Sequence, residues 1–191
     1  MSSIPSAPAL RTFKQQIALL AFLVAAMWAI ECVNFLDGGD LDRYGIVPRT
    51  IPGLRGILCA PFLHVSFAHL IANTVPFVTL GWFVMLRRIS DFYWVSAIAA
   101  LIGGLGTWLI APAYTVHVGA SGVIFGYLGF LMSRGYFERS IVSVLLSIAV
   151  AFAYGGLIWG VLPGQIGISW QGHLFGLAGG VVAARLLARR R

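Results

Sequence analysis

Apolar residues run through this chain in long blocks, most of them near the 20 residues that cross a bilayer core as a helix. Arginines or turn-forming residues separate the blocks. Six can be set off on that basis, at residues 14–36, 67–86, 92–111, 121–134, 140–160 and 170–188. The first is too long for the apolar region of a signal peptide, and Glu31-Cys32 at its end is not a small-residue cleavage site, so it is read as a retained span. Residues 1–13 are rich in Ser, Pro and Ala at their start and are expected to form a short disordered lead, with 14–191 a single domain. The expected fold is all-α, a polytopic membrane protein with a bundle of six transmembrane helices.

Two stretches depart from that pattern. Residues 37–66 make a long outer loop that holds Gly38, Gly39, Pro48, Pro52, Gly53 and Pro61 but also Ile57, Leu58 and Phe62. A loop this apolar is expected to lie in the interfacial zone, partly buried in lipid or protein. The fourth block is short: Pro112 and Gly119 place its start at Ser121, and Arg134 is taken as its cytoplasmic edge.

Composition strengthens the membrane reading, since 59% of the residues are hydrophobic, 10% are charged and the mean hydropathy is +0.90. Soluble domains carry about 25% charged residues. The net charge of +7 suggests nucleic acid only until the charges are located. No basic stripe interleaves with aromatics, so nucleic acid is not an expected partner. Arg11, Lys14, Arg87, Arg88, Arg134, Arg139, Arg185, Arg189, Arg190 and Arg191 fall on one side of the six blocks, and Arg43, Arg49 and Arg55 on the other. The excess of basic residues marks the cytoplasmic side. Both termini are therefore expected inside, in a multi-pass protein of the plasma (inner) membrane. Cys32 and Cys59 lie far apart and imply neither a disulfide framework nor a metal site.

Helix rise turns residue numbers into depth. Ser121 to Arg134 spans about 20 Å of helix, Asn73 to Arg87 about 21 Å and His173 to Arg185 about 18 Å. Against a hydrocarbon core about 30 Å thick, a serine, an asparagine and a histidine on three helices fall at one level, on the order of 10 Å below the outer edge. His69 lies one turn above Asn73 on the same face. Gly122, Gly126 and Gly129 stripe the fourth helix beside Ser121, while Gly176 and Gly180 share the face of His173. Such stripes let membrane helices approach closely. A glycine stripe with a serine is, taken alone, a common packing device. Its joint occurrence with His173 and Asn73 at one depth points to catalysis. His64 and His117 read as outer-facing, with no part in the chemistry, and HxxxN lacks the further ligands of a metal site.

These residues resemble the rhomboid family of intramembrane serine proteases over residues 40–190. "GASG" at 119–122 is similar to the family's GxSG nucleophile motif, "HLIAN" at 69–73 to its HxxxN, and "GHLFGLAGG" at 172–180 to its histidine-bearing last helix. The resemblance implies a minimal six-span bacterial-type form with Ser121 as nucleophile and His173 as general base in a dyad without a carboxylate. It also implies an oxyanion site of Asn73, His69 and the Ser121 N–H, supported by Gly119, Gly122, Phe125 and Gly176. Phe125 is placed to press on the imidazole, and residues 159–169 form a cap over the site. Expected partners are transmembrane protein substrates and membrane lipids; no cofactor or metal is implied, and the oligomeric state stays open. The Trp-Arg pair that many bacterial relatives carry in the outer loop is missing from residues 37–66. The alternatives weighed are a catalytically inactive relative that binds membrane clients, and a small channel or transporter. The first would lack Ser or His, and the second would need polar residues from face to face.

Overall fold

A computed structural model of the chain describes residues 7–165 and 167–189. Residues 1–6 of the expected lead, Ile166 of the expected cap, and Arg190 and Arg191 of the inner basic set lie outside the described residues. Regular structure within them is helical: α1 (Ala7–Leu36), α2 (Gly56–Cys59), α3 (Phe67–Met85), α4 (Ile89–Ile110), α5 (Ser121–Glu138), α6 (Ile141–Tyr154) and α7 (Trp170–Ala188), with short 3-10 turns in the outer loop and after α6. Residues 7–13, expected in the lead, form the first turns of α1. Among the described residues, four helical segments are long and apolar enough to cross a membrane: Arg11–Leu36, Phe67–Met85, Ile89–Ile110 and Ile141–Val161, the last running on from α6 through the 3-10 segment Gly155–Val161.

Local chemistry sets the helix ends. Ser66 caps α3 by accepting the His69 N–H at 3.2 Å, and Ser140 caps α6 by accepting the Ser143 N–H at 3.2 Å. Each satisfies a backbone donor that the first turn leaves without a helical partner. At the other end of α3, Gln16 reaches across from α1 to donate to the Met85 carbonyl at 3.0 Å.

The helix α5 is the centre of the bundle and packs against α3, α4, α6 and α7, whereas α1 rests mainly on α3. Tyr127, Leu128, Phe130 and Leu131 of α5 are fully buried. The Tyr127 hydroxyl is paired with Ser96 Oγ at 2.7 Å, and Phe77 and Phe92 pack around its ring.

The inner end of α5 differs from expectation. Arg134 does not end the helix, which runs one turn further to Glu138. Arg134 Nε donates to Glu138 Oε1 at 2.8 Å with both side chains 4% exposed, and Arg87 donates to Glu138 Oε2 at 2.8 Å. The apparent edge charge is half of a buried ion pair at i, i+4 spacing, and removing one partner of such a pair is strongly destabilising.

The outer loop folds onto α1 and α4. Arg49 donates to the Leu109 and Ala111 carbonyls at 3.0 and 2.7 Å, covering the C-terminal end of α4, and Trp108 Nε1 donates to the Thr50 carbonyl at 2.8 Å. From α1, the Asn34 amide bonds Asp42 Oδ1 at 3.1 Å and the His64 carbonyl at 3.2 Å.

Candidate active site

Ser121 is the first residue of α5, and the turn before it depends on Gly119, whose φ is +117°. Beyond the backbone angle, there is no room for a side chain. A Cβ on Gly119 would sit 2.7 Å from His69 Cε1 and 2.9 Å from His69 Nε2, with Asn73 Nδ2 at 3.7 Å. The loop thus crosses directly over the polar face of α3, held there by the Gly119 N–H donating to the Ala60 carbonyl at 2.8 Å.

On that face, Asn73 is 6% exposed, and neither its Nδ2 nor His69 Nδ1 finds a hydrogen-bond partner among the described residues. A buried donor left unpaired costs roughly 1–3 kcal/mol. Such a cost is accepted where the donor serves a charge that arises only during a reaction.

His173, on the first turn of α7, is 8% exposed. Its Nδ1 is 2.9 Å from the Gly160 carbonyl, an acceptor only, so Nδ1 carries the hydrogen and Nε2 has a free lone pair. Its ring stacks on Phe125 with centroids 4.1 Å apart and planes 9° apart. A backbone carbonyl and an aromatic face together orient the imidazole, where an orienting carboxylate would otherwise be sought. Gly160 allows this approach, because a Cβ there would lie 2.9 Å from Phe125 Cζ and 3.0 Å from His173 Nδ1.

The glycine stripes meet in the bundle. A Cβ on Gly176 would fall on the Gly122 carbonyl, one on Gly180 on the Gly126 carbonyl, and one on Gly129 on the Leu177 carbonyl. Backbone therefore lies against backbone where α5 and α7 cross, and Gly103 of α4 joins them, 3.3 Å from the Gly176 backbone by the same measure. Ser121, His173, Asn73, His69, Phe125 and Gly160 line one cavity of about 790 Å³.

Two histidines lie elsewhere than expected. His64 is not outer-facing; it is fully buried, its ring set edge-on to His69 with centroids 5.1 Å apart, and its Nε2 accepts the Ala120 N–H at 3.5 Å. Burial, with His69 alongside, pushes its pKa down to about 4, which keeps that nitrogen an acceptor at neutral pH. His117 is half-buried and lowered by burial too; it lines the same cavity, bonded to Thr115 and Ser169.

A rhomboid-domain family model matches residues 53–190. An uncharacterized protein of Mycobacterium tuberculosis is 45% identical over 173 residues, which cover 86% of this chain and 72% of the relative. One of Mycobacterium leprae is 42% identical over 180 residues, 90% of this chain and 71% of the relative. YdcA of Bacillus subtilis, provisionally named a rhomboid protease, is 32% identical over 138 residues, 68% of this chain and 65% of its own length. With these matches and its apolar helices, the chain belongs to the rhomboid family and is a multi-pass helical membrane protein.

Proposed function

We propose that this protein is an intramembrane serine endopeptidase that cuts transmembrane segments of membrane-protein substrates near the outer side of the bilayer. In this reading α5 and α7 complete six spans, both termini are cytoplasmic, and α5 begins within the membrane at the nucleophile. One observation carries it above the others. The nucleophile candidate, a histidine with Nε2 free, the unpaired buried amide of Asn73 and the unpaired ring nitrogen of His69 line a single cavity at the N-terminus of α5.

The chemistry follows from those positions. Ser121 Oγ adds to the scissile carbonyl carbon as its proton passes to His173 Nε2. The Gly160 carbonyl holds Nδ1–H throughout, so the imidazolium keeps one hydrogen bond as it forms. Asn73 Nδ2, His69 and the Ser121 N–H stabilise the oxyanion, and the α5 N-terminus adds partial positive charge at the same point. As the carbon–nitrogen bond breaks, His173 returns the proton to the leaving amine. Water, activated in turn by His173, then cleaves the acyl-enzyme ester and restores Ser121.

The test is covalent labelling of the purified chain by a serine-directed fluorophosphonate. Wild type is expected to label and Ser121→Ala to remain unlabelled; equal labelling of the two sinks the assignment. Asn73→Ala is expected to lower kcat roughly 10²–10³-fold with KM little changed, because the charge it meets develops only in the transition state. Steady-state cleavage of a transmembrane reporter in proteoliposomes measures this, and an unaltered kcat would remove Asn73 from the oxyanion site.

A further inference from the structure

The loop 112–120 presents Ser121, and Ser169 leads into the helix that carries His173. His117 joins the two. Its Nδ1 lies 2.7 Å from Ser169 Oγ and its Nε2 lies 2.8 Å from Thr115 Oγ1. Counting hydrogens gives each bond a direction. The single Thr115 hydroxyl hydrogen goes to the Pro112 carbonyl at 2.7 Å. Thr115 Oγ1 can then only accept from the ring, so Nε2 carries the imidazole hydrogen. In the neutral ring, Nδ1 accepts the hydroxyl hydrogen of Ser169. The result is one directed chain: Ser169 O–H to His117, His117 N–H to Thr115, Thr115 O–H to the Pro112 carbonyl.

Both ends of this chain are anchored. On the loop side, His117 exchanges two backbone hydrogen bonds with Ile46, at 2.9 and 3.0 Å, and the Gly119 N–H holds the Ala60 carbonyl. On the helix side, the Ser169 carbonyl accepts the His173 N–H at 3.1 Å. The residue that His117 grips is therefore bonded directly to the backbone of the base. The glycine contacts fix how α5 and α7 cross deeper in the bundle, from Gly122 and Gly176 onward. At the outer end of the pair, where the two reacting side chains sit, the His117 bridge is the side-chain tie among the described residues between the loop and the start of α7.

From this geometry we propose that His117 is a positioning residue, which through Ser169 clamps the base-bearing end of α7 to the loop that presents the nucleophile and so sets the separation of Ser121 and His173. The inference rests on the reading of Ser121 and His173 as a reacting pair. It assigns a role to a side chain of the cavity wall that is not one of the reacting pair.

The experiment uses the full chain in proteoliposomes and compares fluorophosphonate labelling rates per folded molecule, the folded fraction coming from thermal unfolding. His117→Phe and Ser169→Ala are each expected to slow labelling about tenfold to a hundredfold, the scale of a misplacement of about an ångström. The double variant is expected to be no slower than the slower single, since both cut one chain. Ser169→Thr keeps the hydroxyl and is expected to restore the rate. With a transmembrane reporter, kcat is expected to fall while KM holds. If His117→Phe does not fold, Thr115→Val cuts the far end of the chain and is expected to slow labelling in the same direction. Wild-type labelling rates per folded molecule in these variants, additive losses in the double, or a Ser169→Thr as slow as Ser169→Ala would each overturn the role of His117. A wild-type chain that fails to label at all would instead refute the protease reading itself.

Discussion

His173→Ala is expected to lower turnover of a transmembrane reporter about 10⁴- to 10⁶-fold, and the Ser121→Ala, His173→Ala double variant to be no slower than the slower single. At 1.36 kcal/mol per tenfold, the loss corresponds to roughly 5–8 kcal/mol of transition-state stabilisation. The size follows from what the imidazole does and from the lack of a substitute. In the proposed reaction it accepts a proton from Ser121 and returns it to the amine, so both halves of that reaction would lose their proton carrier together. As a proposed reacting pair, Ser121 and His173 would act as one unit, which makes their expected losses overlap. His173→Gln tests the point without opening a void beside Phe125, and it is expected to lose as much as alanine because an amide does not take up the proton. Single-turnover cleavage in proteoliposomes measures the effect. Retention of more than about a hundredth of wild-type turnover would be too much for the loss of a general base, whose share is typically 10²–10⁴-fold, and would take His173 out of that role.

Gly176→Val is expected to cost the second largest loss, and to act through the fold. The first added carbon falls on the Gly122 carbonyl, which is backbone of a neighbouring helix and cannot swing aside. The two helices have to separate, and the Gly103 contact of α4 opens with them. Overpacking of a close interior typically costs about 1–3 kcal/mol, and here the obstacle is rigid, so the upper part of that range is expected. The helices that separate carry Ser121 and His173, so labelling is expected to fail even in the fraction that stays folded. Gly155→Ala is the matched control. Outside its own stretch of chain, no atom of the described residues lies within 4 Å of its Cβ position, and a change within about 0.5 kcal/mol is expected. Thermal unfolding with labelling of the folded fraction separates the two effects. A Gly176→Val protein with wild-type midpoint and labelling would contradict the close crossing of α5 and α7.

The helices were legible because a bilayer imposes length on apolar runs, and because arginines and turn-forming residues separate those runs. The start of α5 at Ser121 was readable from Gly119, since a sharp turn and a close approach both call for glycine. The far end was misjudged for a physical reason. A rule that sets arginine at the membrane edge has no means of seeing Glu138 one turn on, whose carboxylate compensates the Arg134 charge inside the protein and also receives Arg87 from the turn between α3 and α4. Within the candidate site, Ser121, His173 and Asn73 stood out as polar residues against an apolar background. Gly160 did not, because the group that matters there is a carbonyl that every residue possesses, and only the fold brings this one to His173. The burial of His64 and the bridge made by His117 are likewise products of tertiary packing, invisible to spacing along the chain.

The Gly160 carbonyl sits on the segment between α6 and α7 where Gly164 and Gly167 adopt left-handed backbone angles, at φ +95° and +75°. The partner that orients the imidazole is thus carried by the covering of the site rather than by its floor. In the proposed protease, a displacement of that segment would break the Nδ1–H bond to the Gly160 carbonyl and leave the Phe125 face alone to orient the imidazole. On the proposed reading, the base is therefore aimed by a group that belongs to the segment over the site and not to the helices that carry the reacting pair.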